Sequence, residues 1–179
     1  MSEAKFVSRA VRKKDAQALV TGKPVYTGDL VPAGALTVKL LRSPHARAWI
    51  EEIDCTAAMK IPGVVAIYTW QDVPQSRFTT AGQTYPEPSP YDRLILDRQI
   101  RCAGDPVAIV AAETPEAARK ALDRIKVRYQ VQEPLLDFTK AKDNPIVVHP
   151  EENFRTLCDV GTDASRNLCS TEQSEVGDV

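Results

Sequence analysis

Leu40 Leu41 Arg42 Ser43 Pro44 His45 Ala46 Arg47 Ala48 Trp49 Ile50 is the stretch on which the fold turns. Before it, Leu36 Thr37 Val38 Lys39 Leu40 alternates apolar and polar, the period of a strand with one face buried. Pro44 has no amide hydrogen and pushes Ser43 toward extended geometry, so the strand ends there and His45 sits at a corner. The chain resumes in Trp49 Ile50 Glu51 Glu52 Ile53, a second strand, and Asp54 is placed to cap a short helix over Cys55–Met59. Pro62 bars continuation and Pro62 Gly63 predicts a type II turn. Val64 to Tyr68 then reads as an unbroken apolar strand, long enough to be central in a sheet.

Arg42, Ser43 and His45 invite a catalytic reading as charge, nucleophile and base. The spacing argues against it. An activated serine needs a base oriented by a third group, and no Gly-x-Ser-x-Gly elbow is present. A structural role fits better, with Arg42 capping carbonyls or pairing with a carboxylate and His45 fixing the corner through hydrogen bonds.

Further along, Pro74 to Arg93 has no periodicity, four prolines (Pro74, Pro86, Pro88, Pro90) and three aromatics (Phe78, Tyr85, Tyr91). A loop of about twenty residues without structure is unusual in a compact domain, which marks it as an interface segment or a mobile insertion. Arg98 to Cys102 predicts a strand, Gly104 Asp105 Pro106 a turn, and Val107 to Ala112 the clearest buried strand. Thr114 Pro115 opens the clearest helix, with threonine as N-cap and proline at the first helical position. Ala117, Ala118, Ala121, Leu122 and Ile125 share its apolar face. Ile125 to Tyr129 alternates again as a last strand, and Asn144 to Pro150 allows one short extended segment. Glu151 to Val179 is polar and poor in apolar residues, as a linker would be. The closing Glu175 Val176 Gly177 Asp178 Val179 reads as an interruption, so a fragment of a longer protein is expected rather than a separately encoded piece.

The 179 residues suffice for one domain, with 43% hydrophobic and 26% charged residues, as in ordinary globular proteins. Net charge is divided. Residues 1–142 carry 21 basic and 16 acidic side chains, a net +5, whereas 143–179 carry 2 and 8, a net −6. The expected organisation is a domain over 1–142, led by a polar arm whose apolar cluster is Ala16, Ala18, Leu19 and Val20, and an acidic linker over 143–179. The isolated Arg12 Lys13 Lys14 cluster is no nucleic-acid surface. No apolar run approaches a membrane span and no signal segment opens the chain, so no membrane partner and a cytoplasmic location are expected.

Cys55, Cys102, Cys158 and Cys169 are dispersed without a C-x-x-C pair, and His45 and His149 are equally scattered, which argues against a metal site and for free thiols. Glu51 with Glu52, and Glu151 with Glu152, are adjacent pairs whose members point to different faces; both pairs read as solvated surface. Neither a G-x-G-x-x-G nor a P-loop pattern occurs. No catalytic, cofactor-binding or metal-ligating residue is assigned.

The ordered motifs carry more information together than singly. Asp15 Ala16, Val20 to Lys23, Tyr26 with Asp29, Leu41 to Ala46, Ile53 Asp54, Pro62 Gly63 Val64, Asp72 Val73 Pro74, Gly104 to Ala108 and Glu113 to Ala118 resemble the N-terminal part of the molybdenum hydroxylase large subunit. That is the family of xanthine dehydrogenase, aldehyde oxidase and the aerobic carbon monoxide dehydrogenase. The resemblance covers roughly Arg9 to Asp137. It departs at Cys102 Ala103, where the family more often has an aromatic and a valine.

The resemblance implies an α+β fold of the alpha/beta hammerhead type, a mixed sheet with a few packed helices. It implies a scaffold that packs against the molybdopterin-binding region of the same large subunit. In the full enzyme, a water-derived oxygen is placed on a purine or aldehyde carbon, a glutamate acts as base, and electrons leave through iron-sulfur clusters to flavin (FAD) or another acceptor. Iron-sulfur and flavin subunits or domains are therefore expected partners. The implied pterin-binding stretches and catalytic glutamate match no position here, so the chain alone is expected to be inactive. The rival expectation is a free-standing protein-interaction module that kept the fold without the enzyme, using the 74–93 loop or the acidic tail.

Overall fold

Val107 to Ala112, the longest buried apolar run, takes the middle of a three-stranded sheet in the computed structural model, which describes residues 10–80, 82 and 88–177. The chain divides into two units, Met1–Ala35 and Leu36–Val179. In the first, the expected apolar cluster forms helix α1 (Ala16–Val20), and Tyr26 N–H donates to Asp29 Oδ2 at 2.9 Å across a short 3-10 turn. The start of the arm, residues 1–9, lies outside the described residues.

The second unit contains strands β1 (Thr37–Arg42) and β2 (Ala48–Asp54), helix α2 (Thr56–Met59) and strands β3 (Val64–Tyr68), β4 (Gln99–Ile100) and β5 (Pro106–Ala112). Helix α3 (Pro115–Leu122) and strand β6 (Lys126–Val131) follow. The α+β class with few packed helices is as expected. The mixed sheet resolves into two antiparallel sheets, ordered β1-β5-β3 and β4-β2-β6. The cause is the corner after β1: the chain leaves one sheet at Arg42 and enters the other at Ala48, so consecutive strands do not pair.

Local signals are realised closely. Thr114 Oγ1 accepts from Ala117 N–H at 3.1 Å, and Pro115 opens α3. Asp54 Oδ1 accepts from Thr56 N–H at 2.9 Å, which holds its carboxyl below the usual range, but α2 starts one residue later than expected, at Thr56, so Cys55 rather than Asp54 takes the N-cap position. Gly63 has φ +85, and Val64 N–H donates to Ile61 C=O at 3.1 Å, closing the type II turn.

Helices α2 and α3 lie on one face of the first sheet, where Ala58, Ala117, Ala118 and Ala121 meet Ala108, Val110 and Ala112. Alanines on both sides let helix and sheet approach closely. A second cluster joins Ala48, Ile50, Ile100 and Val107, and Leu41, Ile53 and Val127 touch both clusters. The two sheets therefore share one continuous apolar interior.

Two expectations are corrected. β3 is an edge strand, because β5, the most buried strand of this sheet, takes the central position while β3 is only half-buried. In β1 the buried face is the other one: Thr37, Lys39 and Leu41 are half-buried, whereas Val38 and Leu40 are exposed. Opposite Lys39 on the helix side lies Val110, in the core cluster.

The turn at Gly63 yields a test. A Cβ added there would lie 3.4 Å from Ala117 Cβ, and positive φ is strained for any β-branched residue. Gly63→Val is expected to cost more than about 1 kcal/mol and to lower the thermal midpoint by at least about 2 °C. An unchanged melt contradicts the turn.

Candidate functional site

Ser43 is buried at the corner, and its hydroxyl serves the backbone. Ser43 Oγ accepts from His45 N–H at 3.0 Å and contacts His45 C=O at 3.2 Å. Ser43 N–H donates to Asp105 C=O at 2.9 Å, and Gly104 N–H donates to Ser43 C=O at 2.8 Å. Arg42 Nη1 caps Gly104 C=O at 2.8 Å, the role expected of it. The imidazole of His45 instead meets the Tyr129 ring edge to face at 4.9 Å, so the corner is fixed by Ser43 and by ring packing. Burial pushes the Tyr129 phenol up, offset in part by a hydrogen bond with Ser43. A serine hydroxyl held by backbone groups and the Tyr129 phenol, with no imidazole nitrogen on its oxygen, is no nucleophile.

The densest charge cluster lies elsewhere. All five N–H donors of Arg101 are engaged: Nη1 to Asp97 Oδ2 at 2.6 Å and Gln99 C=O at 3.5 Å, Nη2 to Gln99 Oε1 at 2.8 Å and Glu151 Oε1 at 3.0 Å, and Nε to Val148 C=O at 3.3 Å. Glu151 Oε1 also meets Arg77 Nη1 at 3.2 Å and His149 Nδ1 at 2.8 Å. Burial pushes the Glu151 carboxyl up, but the hydrogen bond from His149, its own backbone amide and the charges on Arg101 and His149 outweigh it and hold it at about 2.

This corrects the reading of Glu151 as solvated surface. The composition of 143–179 suggests a linker, yet Arg77 Nε reaches Asn153 Oδ1 at 2.7 Å and Tyr91 N–H donates to Arg155 C=O at 2.8 Å. Arg155 also stacks over the Tyr91 ring. The described ends of the 74–93 loop are thus fastened to the stretch around Glu151; Tyr85 and Pro86 lie outside the described residues. Sequence reasoning missed Arg77, Arg101 and Arg98. Arg98 sits 5.9 Å from the Trp49 ring centre and 5.4 Å from that of Trp70, with its Nε on Ile50 C=O. A lone arginine beside a strand carries no local sign of such partners.

A cavity of about 220 Å³ opens beside the cluster, lined in part by Asp92, Arg93, Asp97, Asp105 and His149. Its carboxylates already face arginine or backbone donors: Asp97 meets Arg101, and Asp105 accepts from the Arg101 and Cys102 amides. The arrangement stores structure rather than a poised acid and base. Burial, then the Asp105 charge, pushes the Cys102 thiol up, the opposite of thiolate activation.

The four cysteines are free, and no group of three or more His, Cys, Asp or Glu that could hold a metal ion occurs among the described residues. Glu51 and Glu52 both reach Arg128, at 3.2 Å each, because a bulge between Ile50 and Glu52 breaks the strand alternation. They are exposed, as expected for surface. Among the described residues no helix is long and apolar enough to cross a membrane.

Residues 21–133 match the family model described as aldehyde oxidase and xanthine dehydrogenase, a/b hammerhead domain. The probable hypoxanthine oxidase XdhD of Escherichia coli (strain K12) is 42% identical over 151 residues, covering 83% of this chain and 16% of that protein. The putative xanthine dehydrogenase molybdenum-binding subunit XdhA of the same strain is 41% identical over 120 residues, covering 65% and 16%. Among solved structures, the aldehyde oxidoreductase from Desulfovibrio gigas aligns with a TM-score of 0.63 at 30% identity, covering 76% of this chain and 16% of that one. The chain thus spans about a sixth of the length of these relatives.

Glu151 gives the test of the cluster. Because its folded-state carboxyl is held below the ordinary 4.5, its contribution is full above pH 4.5 and is lost as pH falls toward about 2. Glu151→Gln is expected to cost on the order of 2 kcal/mol at pH 7, discounted for partial exposure, and to flatten that acid limb in denaturant titrations. Identical acid limbs in both proteins contradict the assignment.

Proposed function

The chain belongs to the aldehyde oxidase and xanthine dehydrogenase family as its a/b hammerhead domain, and we propose that it is a scaffold domain within a xanthine dehydrogenase-like molybdenum hydroxylase. The observation that carries this is the pairing of a hammerhead-domain match over residues 21–133 with a sixth of the relatives' length. The organisation proposed is a hammerhead with its arm over 1–142, and a segment over 143–179 leading toward the molybdopterin-binding region.

The geometry supports a supporting rather than a reacting role. Serine, arginines and carboxylates that would attract a catalytic reading are each spent on backbone groups or on one another. In the whole enzyme the proposed reaction is hydroxylation of a purine or aldehyde carbon with water-derived oxygen, and the names of the E. coli relatives favour a purine. The molybdopterin, the iron-sulfur clusters and any flavin are proposed to be held by other regions or subunits, which are then the partners of this domain. Four free cysteines are compatible with a reducing, cytoplasmic setting.

The purified chain is expected to carry no stoichiometric molybdenum or iron by elemental analysis, to show no visible flavin or iron-sulfur absorption, and to leave hypoxanthine unchanged with an artificial electron acceptor. Stoichiometric molybdenum, or turnover, overturns the scaffold reading.

A further inference from the structure

An antiparallel sheet with one open face normally presents polar side chains there. The first sheet does the reverse. On the face away from α2 and α3, the cross-strand rows are Val38, Ala111 and Ala66, then Leu40, Ile109 and Tyr68. Val38 is 58% exposed, Leu40 37% and Tyr68 45%. Five of the six side chains are wholly apolar and the sixth is a tyrosine.

Register makes this more than a scattering of surface apolar residues. Strand side chains alternate with period two, so a one-residue slip in β1 would turn Val38 and Leu40 toward the helices and Lys39 outward. The ladder with β5 holds the opposite register, Val38 against Ala111 and Leu40 against Ile109. β1 thus places Val38 and Leu40 on the open face, and Thr37 and Lys39, with Leu41, on the helix side. A contiguous apolar face of this kind marks a contact surface.

We propose that this open face of the β1-β5-β3 sheet is the docking surface for the remaining, molybdenum-binding part of the large subunit. The proposal rests on the scaffold role above. The relatives' chains are about six times as long as the part matched here, which supplies an occupant covalently joined to this domain and large enough to cover three strands. Within one chain such a contact forms at high effective concentration, so it needs no ring of charges for capture.

Side-chain labelling with a photo-generated carbene, run on the purified 179-residue chain and on the full-length large subunit that contains it, tests this. Val38, Leu40 and Tyr68 are expected to label strongly in the isolated chain and to fall to the level of buried Ile50 in the large subunit. Unchanged labelling in a subunit that has loaded molybdenum overturns the assignment of the face while leaving the scaffold role standing. Protection already present in the isolated chain, appearing with concentration as a dimer forms, assigns the face to a second copy and overturns the proposal. A reading frame that closes after Val179 overturns the scaffold role and this proposal with it.

Discussion

The corner at Ser43 and Pro44 is the constraint from which the rest follows. Proline ends the first strand, and the two backbone bonds between Ser43 and the Gly104–Asp105 turn fix where the β1–β5 ladder stops. Beyond that point the chain must change sheets, because Ser43 Oγ holds His45 N–H and turns the backbone toward Ala48. Leu41 on one side of the corner, with Ile53 and Val127 on the other side, bridges the two apolar clusters. The same residues that look like an active site in the sequence are what makes two small sheets into one unit.

Local features were legible because their signals are local. The Thr114 cap, the Pro62–Gly63 turn, the Asp54–Thr56 hydrogen bond and the buried β5 each depend on a few neighbouring residues. What stayed hidden depends on distant pairing. Which strand is central is decided by β5 binding partners on both edges, and which face of β1 is buried is decided by where α3 lands. Glu151 looked like exposed surface because its partners, Arg77 and Arg101, stand 74 and 50 positions away. The bulge at Glu51 likewise cancels an alternation that the sequence alone suggests.

The candidate site was legible mainly by exclusion. Spacing alone disfavoured a Ser43–His45 dyad, and the geometry supplies the physical reason, since the hydroxyl is bound to backbone and the imidazole to a tyrosine ring. The resemblance and the comparisons agree on the family, while the chain's own charged groups neutralise one another in place. Polar chemistry committed to internal order, beside an open apolar sheet face, is the pattern that the proposed scaffold role calls for.

The equilibrium stability of Ser43→Ala, by denaturant titration of the purified chain, tests the central claim that the corner is structural. Loss of the buried hydroxyl leaves His45 N–H unpaired, so the account predicts a loss of about 1–2 kcal/mol, with tryptophan fluorescence and far-UV circular dichroism shifting together. A midpoint and slope equal to those of the unmodified chain would contradict it.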